Sequence, residues 1–350
     1  MKQCLLEDFN PRQIRVGVLR RVGLVNDFSM SDEWGSVQLK FGDGLDRWIR
    51  SLRPDLSKQR KALPVDKPAL WLEEVEPDLE GILRRCLTVF LTNRECPWRC
   101  LMCDLWKSTS LDTLPIGSIP RQLEYALAGM GLLEWIKLYN AGSFFDSAAI
   151  PVADHANIAK QVGGFKKVIV ECHPKLVGRR VVEFRDKLSG PTMEVAMGLE
   201  TAQPEILSRL NKQMTLDDFA RASGFLRNQQ IEVRAFILIK PPFQSDDAAL
   251  EWAVRSAQFA FDAGATTVSL IPTRGGEGAL AQLEKMGQFS EPSMFLVEKV
   301  FDQVMEMNRG RVFIDLWDLE RFKDSTPNFD LRKQRLVRMN HTQRVMENLS

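Results

Sequence analysis

Short apolar runs alternate with amphipathic segments from about residue 80 to residue 276. The apolar runs are rich in β-branched residues and end in polar turns, so they predict buried strands. The segments between them carry apolar residues at helical spacing and predict helices. The predicted strands are 86–92, 135–139, 167–171, 193–202, 233–239 and 266–273, and the helices between them are 119–130, 204–210, 216–227 and 246–263.

Strands that alternate with helices along a chain form parallel sheets covered by the helices. Six such repeats predict an α/β fold, namely a partial, TIM-like (β/α)6 barrel over residues 81–276. Residues 1–80 are predicted to be an N-terminal extension and residues 277–350 a helical C-terminal extension. Thr215 is the expected cap of the helix that ends at Arg227.

The two extensions carry weaker patterns. Residues 16–19 and 36–40 predict short strands, residues 45–52 predict an amphipathic helix, and Cys4 stands alone without identifiable chemistry. Residues 53–77 hold four prolines among many charges, which favours an extended wrap or linker. Near the C-terminus, residues 294–307 and 332–346 predict helices. The second is basic and able to approach RNA phosphate, but we expect its charges to face solvent.

Composition excludes several classes of protein. The 350 residues include 47 basic and 46 acidic side chains, a balance that argues against a protein that coats nucleic acid. The apolar runs are too short to cross a membrane, and no signal-peptide pattern opens the sequence. Six cysteines in so long a chain are no disulfide framework. These features predict a cytoplasmic protein with no membrane partner.

Three cysteines lie within eight residues, at Cys96, Cys100 and Cys103, with the spacing C-x3-C-x2-C. They follow the first predicted strand of the barrel, at the end of the sheet where α/β folds carry their chemistry. An iron–sulfur cluster explains three clustered thiols best. A zinc site would need a fourth ligand, for which Cys172 and His173 are candidates. Simple burial of three thiols is the least favoured interpretation, because the loop is polar.

The C-x3-C-x2-C pattern after a first strand resembles the signature of the radical S-adenosylmethionine enzymes. This resemblance implies that the three cysteines hold a [4Fe-4S] cluster whose free iron binds the amino and carboxylate groups of S-adenosylmethionine. It implies reductive cleavage of that cofactor to a 5′-deoxyadenosyl radical, with the electron supplied by a flavodoxin or ferredoxin. Met102 stands where this family often has an aromatic residue near the adenine.

Polar residues also follow the other predicted strands, and parallel strands end at one edge of a barrel. We therefore expect them to share one mouth with the cysteines. The resemblance implies that Gly142 and Ser143 hold the methionyl end and that Glu200 binds the amino group or the ribose. It also implies that Lys212 pairs with the carboxylate. The remaining candidates are Glu171 beside the cationic groups, Ile271 and Pro272 flanking the adenine, and Lys240 and Arg274 at the mouth.

Five further stretches are similar to the radical subunit of archaeosine synthase and, more weakly, to the elongator catalytic subunit. They are 140–146, 198–202, 210–212, 240–243 and 278–280. This resemblance covers roughly residues 60 to 340. It implies cleavage of a lysine-bearing side chain on a deazaguanine base, with a partner subunit or tRNA involved. Related proteins carry extra cysteines near the C-terminus, whereas residues 315–329 have none. The substrate is thus expected to be a small molecule or a nucleobase.

A different class of function stays open at this point. The same barrel can be a zinc-stabilised, non-catalytic module that binds RNA or acts as an adaptor. The two hypotheses differ in the metal that the cysteines hold.

Overall fold

The computed structural model describes residues 43–347. The predicted strands at 16–19 and 36–40 and the isolated Cys4 lie outside these residues. The helices, labelled α1 to α11, are Asp43–Ser51, Ser57–Lys61, Ser118–Leu127, His155–Gln161, Arg179–Arg185, Pro204–Arg209, Leu216–Asn228, Asp246–Asp262, Ala279–Lys285, Met294–Glu306 and Phe329–Thr342. The strands, labelled β1 to β8, are Leu70–Pro77, Leu83–Leu91, Trp135–Asn140, Lys167–Glu171, Thr192–Glu200, Glu232–Ile239, Thr267–Pro272 and Arg311–Ile314.

The eight strands form one sheet in sequence order, β1 to β8. Strands β2 to β8 are parallel, and β1 pairs antiparallel with β2. All six predicted strands are present, and the predicted α/β barrel-like fold is confirmed. Thr215 caps α7 in a reciprocal capping box with Asp218. No helix within residues 43–347 is long and apolar enough to span a lipid bilayer.

The strands are buried on both faces, as parallel strands under helices must be. Alternate residues such as Leu87 and Val89 on β2 face the surrounding helices and are fully buried. The intervening residues face the interior of the curved sheet, where Cys86, Trp135, Ile169 and Ala196 form a small apolar cluster. This cluster lies in the strand interiors, on the N-terminal side of the loops that carry the candidate site.

The prediction of an extended wrap over residues 53–77 is wrong in part. The segment contains helix α2, Ser57–Lys61, and its second half is strand β1, Leu70–Pro77, at the edge of the sheet. Three acids within β1 gave the stretch the appearance of a solvated linker. One of them, Glu76, instead faces the barrel interior and is buried.

Buried ion pairs bind the strands together inside the barrel. Arg234 on β6 contacts Glu76 at 2.7 Å and Glu194 at 2.5 Å, and Arg311 on β8 contacts Glu194 at 3.0 Å. Lys137 on β3 pairs with Glu76 as well. Burial alone would raise the pKa of Glu76, but Arg234 and Lys137 lower it below its ordinary range. Each buried charge has a partner of opposite sign. Removing any one of these residues would therefore take a partner away from another buried charge.

The C-terminal region adds a strand that the sequence did not predict. Strand β8, Arg311–Ile314, extends the parallel sheet beyond residue 276. Helix α11 lies against β8, and the side-chain amides of Asn340 and of the C-cap residue Gln343 bond to the edge of β8 that faces away from β7. Asn340 bonds to both backbone groups of Ile314, and Gln343 bonds to both backbone groups of Val312, at 2.8 to 3.0 Å.

The expectation that the basic side chains of this helix face solvent is wrong for two of them. Arg332 and Arg335 are buried. Arg332 contacts Glu298 of α10 at 2.5 Å, and Arg335 contacts Asp302 of the same helix at 2.8 Å. These arginines dock α11 onto α10 and are not available to a phosphate backbone.

Candidate active site

The cysteine loop begins directly after β2 and is anchored by the residue that precedes its first cysteine. The carboxylate of Glu95 accepts hydrogen bonds from the guanidinium groups of Arg53 at 2.7 Å and Arg60 at 2.8 Å. Arg60 is buried and also donates to the backbone oxygen of Thr109, at the far end of the loop. Both guanidinium groups lie over the ring of Trp106. The supposed linker thus fixes both ends of the cysteine loop.

The middle of the loop is held by the turn that follows α6. The backbone N–H of Leu101 donates to the carbonyl of Leu210 at 2.9 Å. The side-chain amide of Asn211 donates to the carbonyl of Arg99 at 2.8 Å. Asn211 has a φ of 54°, in the left-handed region that asparagine tolerates better than most residues. Lys212 follows directly, so one turn positions both the cysteine loop and this lysine.

His173, one of the two candidates for a fourth zinc ligand, has both ring nitrogens engaged. Its Nδ1 accepts from the backbone N–H of Lys175 at 3.2 Å, so Nε2 carries the proton and donates to the carbonyl of Lys212 at 3.0 Å. Burial and the nearby Lys212 charge lower the pKa of His173 to about 3. The ring therefore stays neutral, and its role here is structural.

Cys172 lines the cavity that also contains Cys96, Cys100 and Cys103. Its sulfur lies 3.5 Å from the hydroxyl of Ser143 and 3.3 Å from the carbonyl of His173. Burial raises the pKa of this thiol to about 12. Neither candidate for a fourth zinc ligand is thus presented to the three loop cysteines as a free donor.

Cys96, Cys100 and Cys103 all line one cavity of about 270 Å³ at the C-terminal ends of the strands. Burial raises the pKa of Cys96 to about 11 and the pKa values of Cys100 and Cys103 to about 12. The metal-free protein thus keeps these thiols protonated, and binding of a metal group must release their protons. The thiolates so formed are the donors that an iron–sulfur cluster takes.

Within residues 43–347, no group of three or more His, Cys, Asp or Glu side chains is arranged to hold a single metal ion. Three clustered thiols are nevertheless the donor type of an iron–sulfur cluster, in which each cysteine ligand binds a different iron.

Glu200 and Lys212 form a buried ion pair in the cavity wall. Lys212 Nζ lies 2.7 Å from Glu200 Oε1. Burial alone would lower the pKa of Lys212, but the Glu200 carboxylate raises it, so the lysine is charged. Strand β5 has an irregularity between Gly198 and Glu200, and Glu200 has a φ of 65°. Such a backbone conformation is uncommon for glutamate and recurs at functional sites.

Gly198 makes this ion pair sterically feasible. A Cβ atom at this position would overlap the Glu200 carboxylate and come within 2.5 Å of Lys212 Nζ. The Glu200 carboxylate and Lys212 Nζ therefore occupy space that the side chain of any other residue at position 198 would fill.

Glu171 and Asn140 line the cavity beside this pair. Glu171 Oε2 accepts from the backbone N–H of Asn140 at 3.0 Å, at the ends of strands β4 and β3. Burial raises the pKa of Glu171 to about 8, so this carboxyl group carries its proton at neutral pH. The wall of the cavity thus contains an acid that is neutral until a cation approaches.

Gly142 and Ser143 lie on different sides of the cavity wall. Gly142 lines the cavity, and a Cβ atom there would lie 3.2 Å from Cys96 Cβ, so glycine permits close approach of the two loops. Ser143 is buried, and its hydroxyl accepts from the N–H of His173 at 3.2 Å. Its hydroxyl is therefore already engaged within the protein.

The remaining predicted residues divide between the cavity and its surroundings. Met102 lines the cavity and packs, together with Ile271, against one apolar cluster. Pro272 is buried at the end of β7. Lys240 and Arg274 do not line the cavity. Lys240 contacts Asp246 at 2.5 Å, and Arg274 contacts Asp315 at 2.8 Å.

Comparisons with known proteins give partial likenesses. No protein-family model matches the chain. An uncharacterized protein of Methanocaldococcus jannaschii is 24% identical over 283 residues, which are 76% of this chain and 77% of that protein. Archaeosine synthase subunit beta of Methanosarcina acetivorans is 26% identical over 257 residues, which are 69% of this chain and 73% of that protein. The resemblance predicted from the sequence is thereby confirmed, at low identity.

Similar solved structures include coproporphyrinogen III oxidase of Escherichia coli, which is described as a radical SAM enzyme. The TM-score is 0.43 and the identity 12%, over 78% of this chain and 58% of that chain.

Sequence reasoning missed four residues that shape the site, namely Trp98, Asn140, Gly198 and Asn211. Asn140, Gly198 and Asn211 had a detectable signal, because each lies in a stretch that resembles the archaeosine synthase subunits. Gly198 also stands two residues before an acid at the end of an apolar strand. The role of Asn211 depends on a contact across 112 residues, which a local pattern does not carry.

Proposed function

We propose that this protein is a radical S-adenosylmethionine enzyme that binds a [4Fe-4S] cluster through Cys96, Cys100 and Cys103. The observation that carries the proposal is that the three thiols share one cavity with Glu171 and with the Glu200–Lys212 pair. Sulfur donors thus lie beside charged groups of both signs. An amino acid joined to a sulfonium carries charges of both signs as well.

When reduced, the bound cluster would supply the single electron that cleaves the sulfonium of S-adenosylmethionine. The residues of the chain have other tasks. Lys212 offers a charge to the carboxylate, and the carboxylate groups of Glu171 and Glu200 offer acceptors to the cationic groups. Met102 and Leu238 provide apolar wall around the ligand.

The substrate class that we propose is a modified nucleobase. The support is the relative named archaeosine synthase subunit beta, and the reaction would be cleavage of a carbon–nitrogen bond in a deazaguanine side chain. The word subunit in that name also supports a partner chain for this protein. A flavodoxin or ferredoxin is the proposed electron donor, and tRNA is the proposed carrier of the base.

The test is anaerobic reconstitution with iron and sulfide, followed by reduction with dithionite in the presence of S-adenosylmethionine. We expect about four irons per chain, visible absorbance and formation of 5′-deoxyadenosine. Cys100→Ala should lose all three. Cys86→Ala is the matched control, because this thiol is buried inside the barrel and does not line the cavity.

Two outcomes would overturn the proposal. The first is a colourless protein that binds zinc and no iron, which would favour the zinc-stabilised module. The second is a protein that binds iron and yields no 5′-deoxyadenosine even with deazaguanine nucleosides or tRNA present. A cluster that survives in Cys100→Ala would contradict the assignment of this ligand.

A further inference from the structure

Asn140 carries a side-chain amide that no other described residue satisfies. It is the last residue of β3 and lines the cavity. The residue is buried, with only 3% of its surface exposed. Within residues 43–347, neither Oδ1 nor Nδ2 has a hydrogen-bond partner. Buried amides are nearly always paired, because an unpaired donor or acceptor loses its bonds to water without replacement. An amide left unpaired at the wall of a cavity therefore points to a ligand.

The backbone of Asn140 is fixed on both sides. Its N–H donates to Glu171 Oε2 at 3.0 Å, and its carbonyl accepts from the N–H of Gly142 at 2.6 Å. The side chain consequently leaves the sheet from a rigid point. Groups held this way lose little conformational freedom when a ligand binds.

The amide lies next to the first cysteine of the motif. A Cβ atom built on Gly142 would be 3.2 Å from Cys96 Cβ and 3.7 Å from Asn140 Nδ2. The Asn140 amide and Cys96 thus border the same narrow gap, which stays open because residue 142 has no side chain. Asn140 and all three cysteines of the motif also line the same cavity.

We propose that Asn140 binds the amino-acid end of S-adenosylmethionine, with Oδ1 accepting from the ammonium group and Nδ2 donating to the carboxylate. A carboxamide is the neutral side chain that offers a donor and an acceptor together, and an α-amino acid presents the complementary pair. This inference rests on the proposed function. Asn140 is a binding residue in it and takes no part in electron transfer.

The experiment measures equilibrium binding of two ligands to the reconstituted protein without reductant. S-adenosylmethionine contains the amino-acid end, and 5′-deoxyadenosine lacks it. Asn140→Leu removes both polar atoms at nearly constant size, and Asn140→Asp keeps the acceptor and loses the donor. Asn93→Leu is the matched control, because Asn93 follows strand β2 by two residues and is also buried with an unpartnered Oδ1, but does not line the cavity.

We expect Asn140→Leu to weaken binding of S-adenosylmethionine about tenfold or more and to leave binding of 5′-deoxyadenosine unchanged. Asn140→Asp should weaken it too, because its charge repels the carboxylate. Asn93→Leu should bind both ligands as wild type does. Without S-adenosylmethionine, the melting temperature of Asn140→Leu should equal or exceed that of wild type, since an unpaired polar group has been removed.

Three results would overturn the inference. Unchanged affinity of both Asn140 variants for S-adenosylmethionine is the first, and an equal loss for the two ligands is the second. A melting temperature of Asn140→Leu well below that of wild type, with intact ligand binding, is the third and would mark a structural role. Failure of the proposed function itself looks different, because wild type would then bind no S-adenosylmethionine despite a full complement of iron.

Discussion

The ring of Trp98 stacks on the ring of His173, with their centroids 3.8 Å apart and their planes inclined by 6°. Trp98 belongs to the cysteine loop, and His173 follows β4. The same imidazole donates to the carbonyl of Lys212 at 3.0 Å. One neutral histidine therefore joins the cysteine loop to the lysine of the candidate site.

Replacing His173 should separate the effect of the stacked ring from the effect of its hydrogen bonds. His173→Phe keeps an aromatic ring and loses two bonds, so we expect it to lower the free energy of unfolding by about 1–2 kcal/mol. His173→Ala also loses the packing and should cost roughly 2–4 kcal/mol. Denaturant unfolding measures both, with His341→Ala on α11 as the control. Equal stability of the Phe and Ala variants would contradict the importance of the stack.

Asn211 should be sensitive to backbone conformation as well as to its hydrogen bond. Asn211→Gly loses the bond to Arg99 and keeps the left-handed backbone, at a cost of about 1 kcal/mol. Asn211→Ala should cost about 1 kcal/mol more, because alanine tolerates a φ of 54° poorly. Urea unfolding gives the stabilities, and iron content after reconstitution reports on the cysteine loop. An alanine variant as stable as the glycine variant would argue against backbone strain.

Gly198→Ala should impair ligand binding more than folding. The added methyl group displaces the Glu200 carboxylate and Lys212 Nζ, which are the mobile ends of flexible side chains. We expect affinity for S-adenosylmethionine to fall about tenfold, equivalent to ~1.4 kcal/mol. The melting temperature should change by only a few degrees. Gly164→Ala meets open space and serves as the control. Normal affinity in Gly198→Ala would mean that the ion pair is not used in binding.

Glu171 should make stability depend on pH. Its pKa is raised from 4.5 to about 8, so between these values the folded protein keeps a proton that the unfolded chain releases. The free energy of unfolding therefore falls as pH rises through this window. Glu171→Gln stays neutral and should lose that part of the slope, roughly 1–3 kcal/mol between pH 5 and pH 8.

Urea unfolding of wild type and Glu171→Gln at both pH values tests this expectation. The difference between the two proteins isolates the one carboxyl group from all other titrating groups. A constant difference across the range would show that Glu171 titrates normally in the folded protein.

The sequence was sufficient to predict the strands that are buried on both faces, because their apolar runs are continuous. It was insufficient for β1, whose apolar residues are interrupted by three acids, and for β8, which is only four residues long. Glu76 on β1 is acceptable inside the barrel because Lys137 and Arg234, the latter 158 residues away, neutralise it. Arg332 and Arg335 on α11 resembled surface charges in the sequence, because their acidic partners also lie elsewhere in the chain. A local pattern contains no information about such distant partners.

The candidate site, like the fold, could be predicted from the sequence only in part. The cysteine spacing and the acids that end the strands were visible in the sequence, and the structure brings Glu171 and Glu200 to the cavity of the cysteines. The hydrogen bonds of Ser143 and His173 within the protein were not visible, since they depend on how adjacent loops meet. Asn140 was visible as part of a stretch that resembles the archaeosine synthase subunits, but its unpaired amide was not visible, because that is a property of its surroundings.

The contacts between α11 and β8 have a consequence for the behaviour of the protein at high concentration. A free strand edge is a template for pairing with another chain, and such pairing leads to aggregation. Asn340 and Gln343 occupy the backbone groups of Val312 and Ile314 that an incoming strand would use. Helix α11 therefore opposes self-association through this strand edge, although it contributes no residue to the cavity.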